Sequence, residues 1–421
     1  MSLNVSQPNQ QLYTTLLIVF VGFIGVSMAY PLFPPLFLTS SEGVMMGAFA
    51  DDNRRLLLGV TLAVYPLGQF VGSPIIGTIS DKYGRKHVLL GCLAGTILGY
   101  FLSGVALQYG LLWLLILSRL ATGLAESSIA LAQSIIADLK GVNKHRGFGG
   151  ITMAASIGYV IGPVLGGFLS DNHLVSWFSM ALPFYIAALL AGITLLLAYL
   201  KLPESNFLRT TSQSIWQSFN LLQHLNEMSQ NRLLKFLLLS SLVFTLGVDM
   251  FYEFGPVYLT GQFQMNSAQI AVYNVILCVA LAVGGAYLPQ KLIKHYSPHH
   301  IVIMAMMLFV LFMWLITFVS SLTLLFILFG LMGFVIPMAS TVMNVEISDT
   351  AGAGIQGKVL GMQWGLRMLG DALICFIGGA LILYSVSWPL LLGALSGLAA
   401  ASIYFLRVKN TYYNLTELTD V

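Results

Sequence analysis

Apolar residues run along almost the whole chain in blocks of about twenty or more, parted by short polar turns, and a block such as Ile301 to Val319 has no polar face. A helix crosses about 30 Å of hydrocarbon with roughly 20 residues at a rise of about 1.5 Å each. Twelve blocks meet that length, at 12–38, 55–80, 87–108, 111–138, 148–170, 178–201, 234–260, 267–290, 299–319, 322–345, 358–383 and 387–407. Strands of a membrane barrel alternate in polarity between lipid and lumen, so segments apolar all round exclude that architecture. The pattern predicts an all-α membrane protein of twelve transmembrane helices, numbered below as spans 1 to 12. The first block is too long for a removable leader, has no Lys or Arg ahead of it and runs into Pro31, Pro34 and Pro35, so it is read as span 1.

Composition sharpens this reading. Only 8% of the residues are charged against 57% hydrophobic, about a third of the charge a soluble domain carries. With the N-terminus placed inside, fifteen Lys and Arg fall in inner segments and only Arg54 and Arg55 outside. That asymmetry satisfies the positive-inside rule for twelve spans and puts both termini in the cytoplasm. It also accounts for the net charge of +3 without invoking nucleic acid. The three cysteines, Cys92, Cys278 and Cys375, are scattered through apolar spans and indicate neither a disulfide framework nor a metal site.

The longest polar stretch divides the chain into a first six-helix bundle at 1–202, a cytoplasmic linker at 203–232 and a second six-helix bundle at 233–421. The halves echo each other, Asp138 recurring as Asp349 and Gly166-Gly167 as Gly378-Gly379. Two pseudo-symmetric halves around a midplane site are the usual plan of a secondary transporter.

After span 2 comes Gly77-Thr-Ile-Ser-Asp81-Lys-Tyr-Gly84-Arg85-Lys86, with glycines for a tight turn and charges at a membrane boundary. This segment resembles the loop signature of the major facilitator superfamily. The resemblance implies a conformational latch in which Asp81 meets the positive end of a helix and Arg85 pairs with Asp138, with Gly77, Gly84, Lys86 and Arg146 also part of it. Span 5 carries Gly149, Gly158, Gly162-Pro163 and Gly166-Gly167, a spacing similar to that of the drug:proton antiporter branch. It equally describes a small-residue face for close helix packing. Arg119 with Gly123 in span 4, Gly25 with Pro31 and Pro34 in span 1, and Leu202-Pro203-Glu204 after span 6 are similar to further pieces of that family. The second-half copy of the loop signature, from Gly285, has Pro289 where Asp81 would correspond.

Six ionisable residues lie inside spans: Arg119 and Glu126, Asp249 and Glu253, Arg367 and Asp371. Each charge in hydrocarbon costs about 3 kcal/mol on insertion scales, so each is expected to face the bundle interior and mark a pathway. Spans 3, 6, 9 and 12 have none, which suits a lipid-facing scaffold. Arg119 and Glu126 sit seven apart on one helix face. The first is a permanent cation for an anionic group, the second a titratable carboxyl, and a structural pair between them is the alternative. Asp249 and Glu253, four apart, resist joint ionisation. Arg367 and Asp371 have the spacing of an intrahelical ion pair, and Glu346 and Asp349 read as solvated boundary charges.

The expected proton-coupling residues are therefore Glu126, Asp249, Glu253 and Asp371. Arg119, Gln69, Tyr252, Tyr273, Asn274, Asn344, Trp364 and Arg367 are expected to line the substrate site, with Tyr65 and Gln133 nearby. Few polar anchors among aromatic and Met surfaces suit an amphipathic organic compound. The reading is a monomeric, proton-coupled secondary transporter of a small molecule in a bacterial inner membrane, working as a drug or metabolite antiporter. Import of an organic anion, metabolite or siderophore by the same residues is the alternative, and a membrane enzyme or sensor the remote one. No cofactor and no metal are expected, and no P-loop marks ATP as the energy source.

Overall fold

The structure, a computed structural model, describes residues 8–39, 50–138, 144–204, 232–351 and 356–409. The helices are α1 (Pro8–Ser27), α2 (Ala29–Leu38), α3 (Asp51–Tyr83), α4 (Arg85–Tyr109), α5 (Leu112–Glu126), α6 (Ser128–Asp138), α7 (Lys144–Leu169), α8 (Leu182–Lys201), α9 (Arg232–Phe263), α10 (Ser267–Leu292), α11 (Pro298–Ile316), α12 (Leu322–Ala351), α13 (Gln356–Leu381) and α14 (Trp388–Ile403), which ends in a π turn over Tyr404–Lys409. No strand occurs among the described residues. Ten stretches are long and apolar enough to cross a membrane, α1 and α2 counting together, and α7 adds the shorter apolar run Met153–Leu169. The remaining span is α5 with α6, cut in two at Ser127. The all-α, twelve-span pattern thus stands. Most boundaries move by a few residues only, although α12 runs on to Ala351, beyond the hydrocarbon length, because a helix needs no apolar surface once it leaves the membrane.

The chain forms two compact units, one of Met1–Phe219 with Gln264–Val272, the other of Asn220–Phe263 with Tyr273–Val421. The polar segment 205–231 lies outside the described residues. In the first unit Ile18, Leu89, Leu93, Leu131, Ile135, Ala198 and Leu202 form a buried cluster, contributed by α1, α4, α6 and the end of α8. On α8 the exposed residues Leu189, Ile193, Leu196 and Leu200 make one stripe, while Phe184, Ala187, Ala191, Thr194 and Ala198 are buried. An apolar stripe at helical spacing on the outside of a bundle is a lipid face. In the second unit α11 repeats this with Met304, Met307, Leu311 and Trp314 outside.

Two spans of the first unit are interrupted. Pro31 lacks an N–H and its ring crowds the carbonyl four residues earlier, that of Ser27, so span 1 breaks at Met28 between α1 and α2. The break is sealed by α7. A Cβ on Gly158 would lie 2.7 Å from the Phe20 carbonyl oxygen and one on Gly162 2.6 Å from that of Ile24, while one on Gly166 would overlap the Met28 carbonyl. The Ser27 hydroxyl donates to Phe23 O at 2.7 Å and lies 3.4 Å from Gly158 O. The glycines of span 5 therefore bring α7 backbone to backbone with α1, so that the broken turn is covered by protein rather than lipid, as irregular backbone at membrane depth requires. In the second unit Gly370 and Gly378 of α13 meet Leu246 and the Phe254 ring of α9, the same pairing of a fifth helix with a first.

Filling the α1–α7 contact is expected to destabilise the protein. Gly162→Leu should lower the melting temperature of the purified protein in detergent, by the equivalent of about 1–3 kcal/mol of overpacking. Gly192→Leu is the matched control, since a Cβ there meets nothing within 4 Å; equal melting of the two variants would contradict the packing role.

Candidate functional site

The first unit builds its site on a close crossing of α3 and α5. A Cβ on Gly68 would stand 2.6 Å from Leu120 O and one on Gly72 2.6 Å from Leu124 O, and one on Gly123 would overlap the carbonyl of Tyr65. These three glycines let the two backbones touch, which places the Tyr65 ring beside the last turn of α5. There the Tyr65 hydroxyl donates to Glu126 Oε2, while the Tyr100 hydroxyl, from α4, donates to Oε1. Gln69, one turn along α3, donates through Nε2 to the Tyr65 oxygen at 3.0 Å, and the Ser127 hydroxyl donates to Gln69 O at 3.1 Å. A Cβ on Gly25 of α1 would overlap the Tyr100 hydroxyl, so this glycine gives Tyr100 the space to reach the acid. Glu126 is 1% exposed and sits where α5 gives way to α6. Among the described residues no basic side chain is within ion-pairing reach of it.

Arg119, two turns before Glu126 on α5, is 3% exposed. Its Nε and Nη1 have no hydrogen-bond partner, and its guanidinium lies 4.4 Å from the centre of the Tyr65 ring and 5.5 Å from that of Phe33. The structural pair considered for Arg119 and Glu126 is thus absent: the acid is satisfied by two phenols, and the cation by ring faces alone.

The second unit places the expected groups otherwise. Arg367 of α13 does not spend its hydrogen bonds on Asp371 but reaches across to α9, donating Nη2 to Asp249 Oδ1 at 2.7 Å and Nε to Oδ2 at 3.2 Å. A planar guanidinium matches a carboxylate in this two-bond fashion, and the geometry separates Asp249 from the shared-proton arrangement expected with Glu253. Glu253, Asp371 and Cys375 instead converge, with ligand atoms within 4.8 Å of one another, and Asp371 Oδ1 is buried without a hydrogen-bond partner. Among the described residues this group comes nearest to a set able to hold a cation, although the thiol would ligate only after losing its proton. Trp364 lies under Arg367, 5.5 Å from guanidinium carbon to ring centre.

Other expected site residues are dispersed. Tyr273 is 2% exposed and stacks on Phe326 with ring centres 3.9 Å apart, so it serves packing. Asn274 is buried with Nδ2 unpaired. Tyr252 is half-buried beside the Phe251 ring. Asn344 is exposed and accepts from Gln363 Nε2 at 3.3 Å, while the same amide donates to Ser241 at 2.8 Å. Glu346 is not a solvated boundary charge: it is 8% exposed, accepts from the Tyr404 hydroxyl at 2.7 Å and lies 3.3 Å from His299 Nδ1.

For the latch, the side chains of Asp81, Gln133, Asp138 and Arg146, together with Gly149, lie outside the described residues. Gly84 holds a φ of +96°, which favours glycine, and donates its N–H to Ser80 O at 3.0 Å. Arg85 donates to the Ser134 carbonyl, and Glu204 accepts from the Lys86 N–H at 3.0 Å and lies 2.5 Å from His87 Nδ1. Glu204 thereby caps the first turn of α4 from the end of the unit's last helix. Gly77 has open space around it.

Tyr100, Gln363, Ser241 and Cys375 escaped sequence reasoning. A single Tyr or Cys in an apolar span is indistinguishable from core, and no spacing along one helix marks the glycine on another that gives Tyr100 its room.

The chain matches the Major Facilitator Superfamily over residues 15–374, and it belongs to that family. The tetracycline resistance protein of class H from Pasteurella multocida is 33% identical over 199 residues, 47% of this chain and 45% of that protein. The match therefore spans less than half the length of that relative. The class E protein from Escherichia coli is 23% identical over 410 residues, 95% of each chain. Among solved structures, the human organic anion transporter MFSD10 has a TM-score of 0.67 at 20% identity, covering 94% of this chain and 99% of its own, and a D-xylose-proton symporter has 0.69 at 16%, covering 93% and 97%. At such identities the likeness is one of fold. The protein is a multi-pass membrane protein with the fold of a major facilitator transporter.

Two outcomes follow from the site geometry. Gly25→Ala and Tyr100→Phe should each lower the melting temperature, and their double variant should be no worse than Gly25→Ala alone, because both remove one donor from Glu126; additive losses would separate the two residues. Asp249→Asn and Arg367→Gln, made singly, should cost more together than the double variant does, with a coupling of about 1 kcal/mol or more in a double-mutant cycle read by chemical denaturation.

Proposed function

We propose that the chain is a proton-coupled secondary transporter that exports a small organic compound in exchange for protons by alternating access, with Glu126 as a proton carrier. The observation that supports this most is a carboxyl almost wholly out of solvent, at a break in a membrane helix, held by two tyrosine hydroxyls and, among the described residues, by no cation. Such a group can exist in both protonation states without a fixed ion pair to break, because a phenol donates to a carboxylate and accepts from a carboxylic acid. Discontinuous helices at membrane depth are where transporter folds assemble their binding sites. The tetracycline resistance relatives favour an organic compound as the substrate class, and the span-5 glycine spacing favours export.

In this reading Asp249, Glu253 and Asp371 form a second group of acids on the proton route, with Arg367 restraining Asp249. Gln69, Tyr65 and Arg119 face the compound in the first unit, and Trp364 with Arg367 in the second. Gly77, Asp81, Gly84, Arg85, Lys86, Asp138 and Arg146 work as the latch between states. The protein acts as a monomer in a bacterial inner membrane with both termini in the cytoplasm, as its Lys and Arg distribution suggests.

Inverted membrane vesicles carrying the protein, given tetracycline or ethidium, test this directly. An imposed proton gradient should drive accumulation in the native protein. Glu126→Gln should reduce it by about tenfold or more, as expected when the proton-exchanging group is lost, whereas Gly192→Ala, where an added Cβ meets nothing within 4 Å, should not. Accumulation that ignores the gradient in native protein and Glu126→Gln alike would remove the coupling.

A further inference from the structure

Among the described residues of the first unit, Arg119 is a buried permanent charge with no anionic partner. Arg119 cannot shed its proton, is 3% exposed, and has two N–H-bearing nitrogens with no acceptor. Buried cations in native proteins are almost always paired with an anion or with acceptors. The acid best placed to serve, Glu126 on the same helix face, has both oxygens taken by tyrosine hydroxyls. Phe33 and Tyr65 present their rings to the guanidinium at 5.5 and 4.4 Å. Ring faces steady a guanidinium through its charge but accept no conventional hydrogen bond, so the donors stay available.

We infer that Arg119 is the receptor for an anionic group on the transported compound, a carboxylate, phosphonate or enolate carried on an apolar or aromatic body. The chemistry of the two sides is matched. A guanidinium presents parallel N–H donors to a planar or tetrahedral oxyanion, and the side chains packed against it, Phe33 and Tyr65, are aromatic, a setting that suits an apolar or aromatic body. Tyr65 touches both functions: its ring supports Arg119 and its hydroxyl holds Glu126. An anion that draws the guanidinium off that ring acts on the residue that positions the acid. The inference rests on the transporter reading of the same site and holds for either direction of transport.

Equilibrium binding to the purified protein in detergent, without any gradient, separates it from proton coupling. The probes are naphthalene derivatives alike except for a terminal carboxylate, carboxamide or ammonium. The carboxylate should bind about tenfold or more tightly than the other two, a difference of one charge-assisted pair. Arg119→Gln should erase that preference, Arg119→Lys should keep part of it, and Gly192→Ala, where an added Cβ meets nothing within 4 Å, should leave it in place. Should Arg119→Gln fail to fold, the native protein still decides: the carboxylate, not the carboxamide, should protect Arg119 from phenylglyoxal, read by mass spectrometry at that residue. Equal binding of the three probes, a preference that survives Arg119→Gln, or equal protection by both probes would overturn the inference, whatever the vesicle assay shows.

Discussion

A charge or a polar bond placed in hydrocarbon must be answered by the protein, since no water is there to do it. Most of the first unit can be understood as the answer for one carboxyl. Glu126 lies where span 4 breaks, and its two oxygens are met from two different helices by Tyr65 and Tyr100. Each of those tyrosines reaches it only because a glycine on a neighbouring helix stands aside, Gly123 for Tyr65 and Gly25 for Tyr100. The glycines that crowd spans 1, 2 and 4 are thus not merely small surfaces for packing. They set how near the backbones come, and so which polar side chains can meet.

The two units answer their charges differently. In the second, Asp249 and Arg367 neutralise each other across α9 and α13, leaving Glu253, Asp371 and Cys375 as a compact group one turn further along. In the first, cation and acid on one helix remain apart, the acid held by phenols and the cation by ring faces. An ion pair must be broken before either partner can bind anything new, whereas phenol-held acids and ring-held cations are free to exchange a proton or accept an anion.

How much was legible depended on whether a property is carried by one segment or by the meeting of two. The twelve blocks, the all-α class and the Gly84 turn follow from local residues alone. The span-5 glycines are visible too, but only the structure shows that they cover the broken turn at Met28. The expected Arg367–Asp371 pair rested on i,i+4 spacing and gave way to Asp249, because a partner on the adjoining helix offered two-bond geometry that a one-turn neighbour does not. Glu346 looked like a boundary charge until Tyr404 and His299 closed over it. Tyr273 looked like a pocket residue and proved to be stacked on Phe326.

The amino-acid sequence by itself determined the solvent, the number of crossings and the positions where charges must be dealt with, because hydrophobic length and the expense of burying charge act residue by residue. Only the tertiary structure decided which side chain answers which charge. Distances between helices are set by glycines and aromatics on separate segments, and no periodicity along one helix records the approach of another. The phenols around Glu126 and the missing acceptor at Arg119 are both of that second kind.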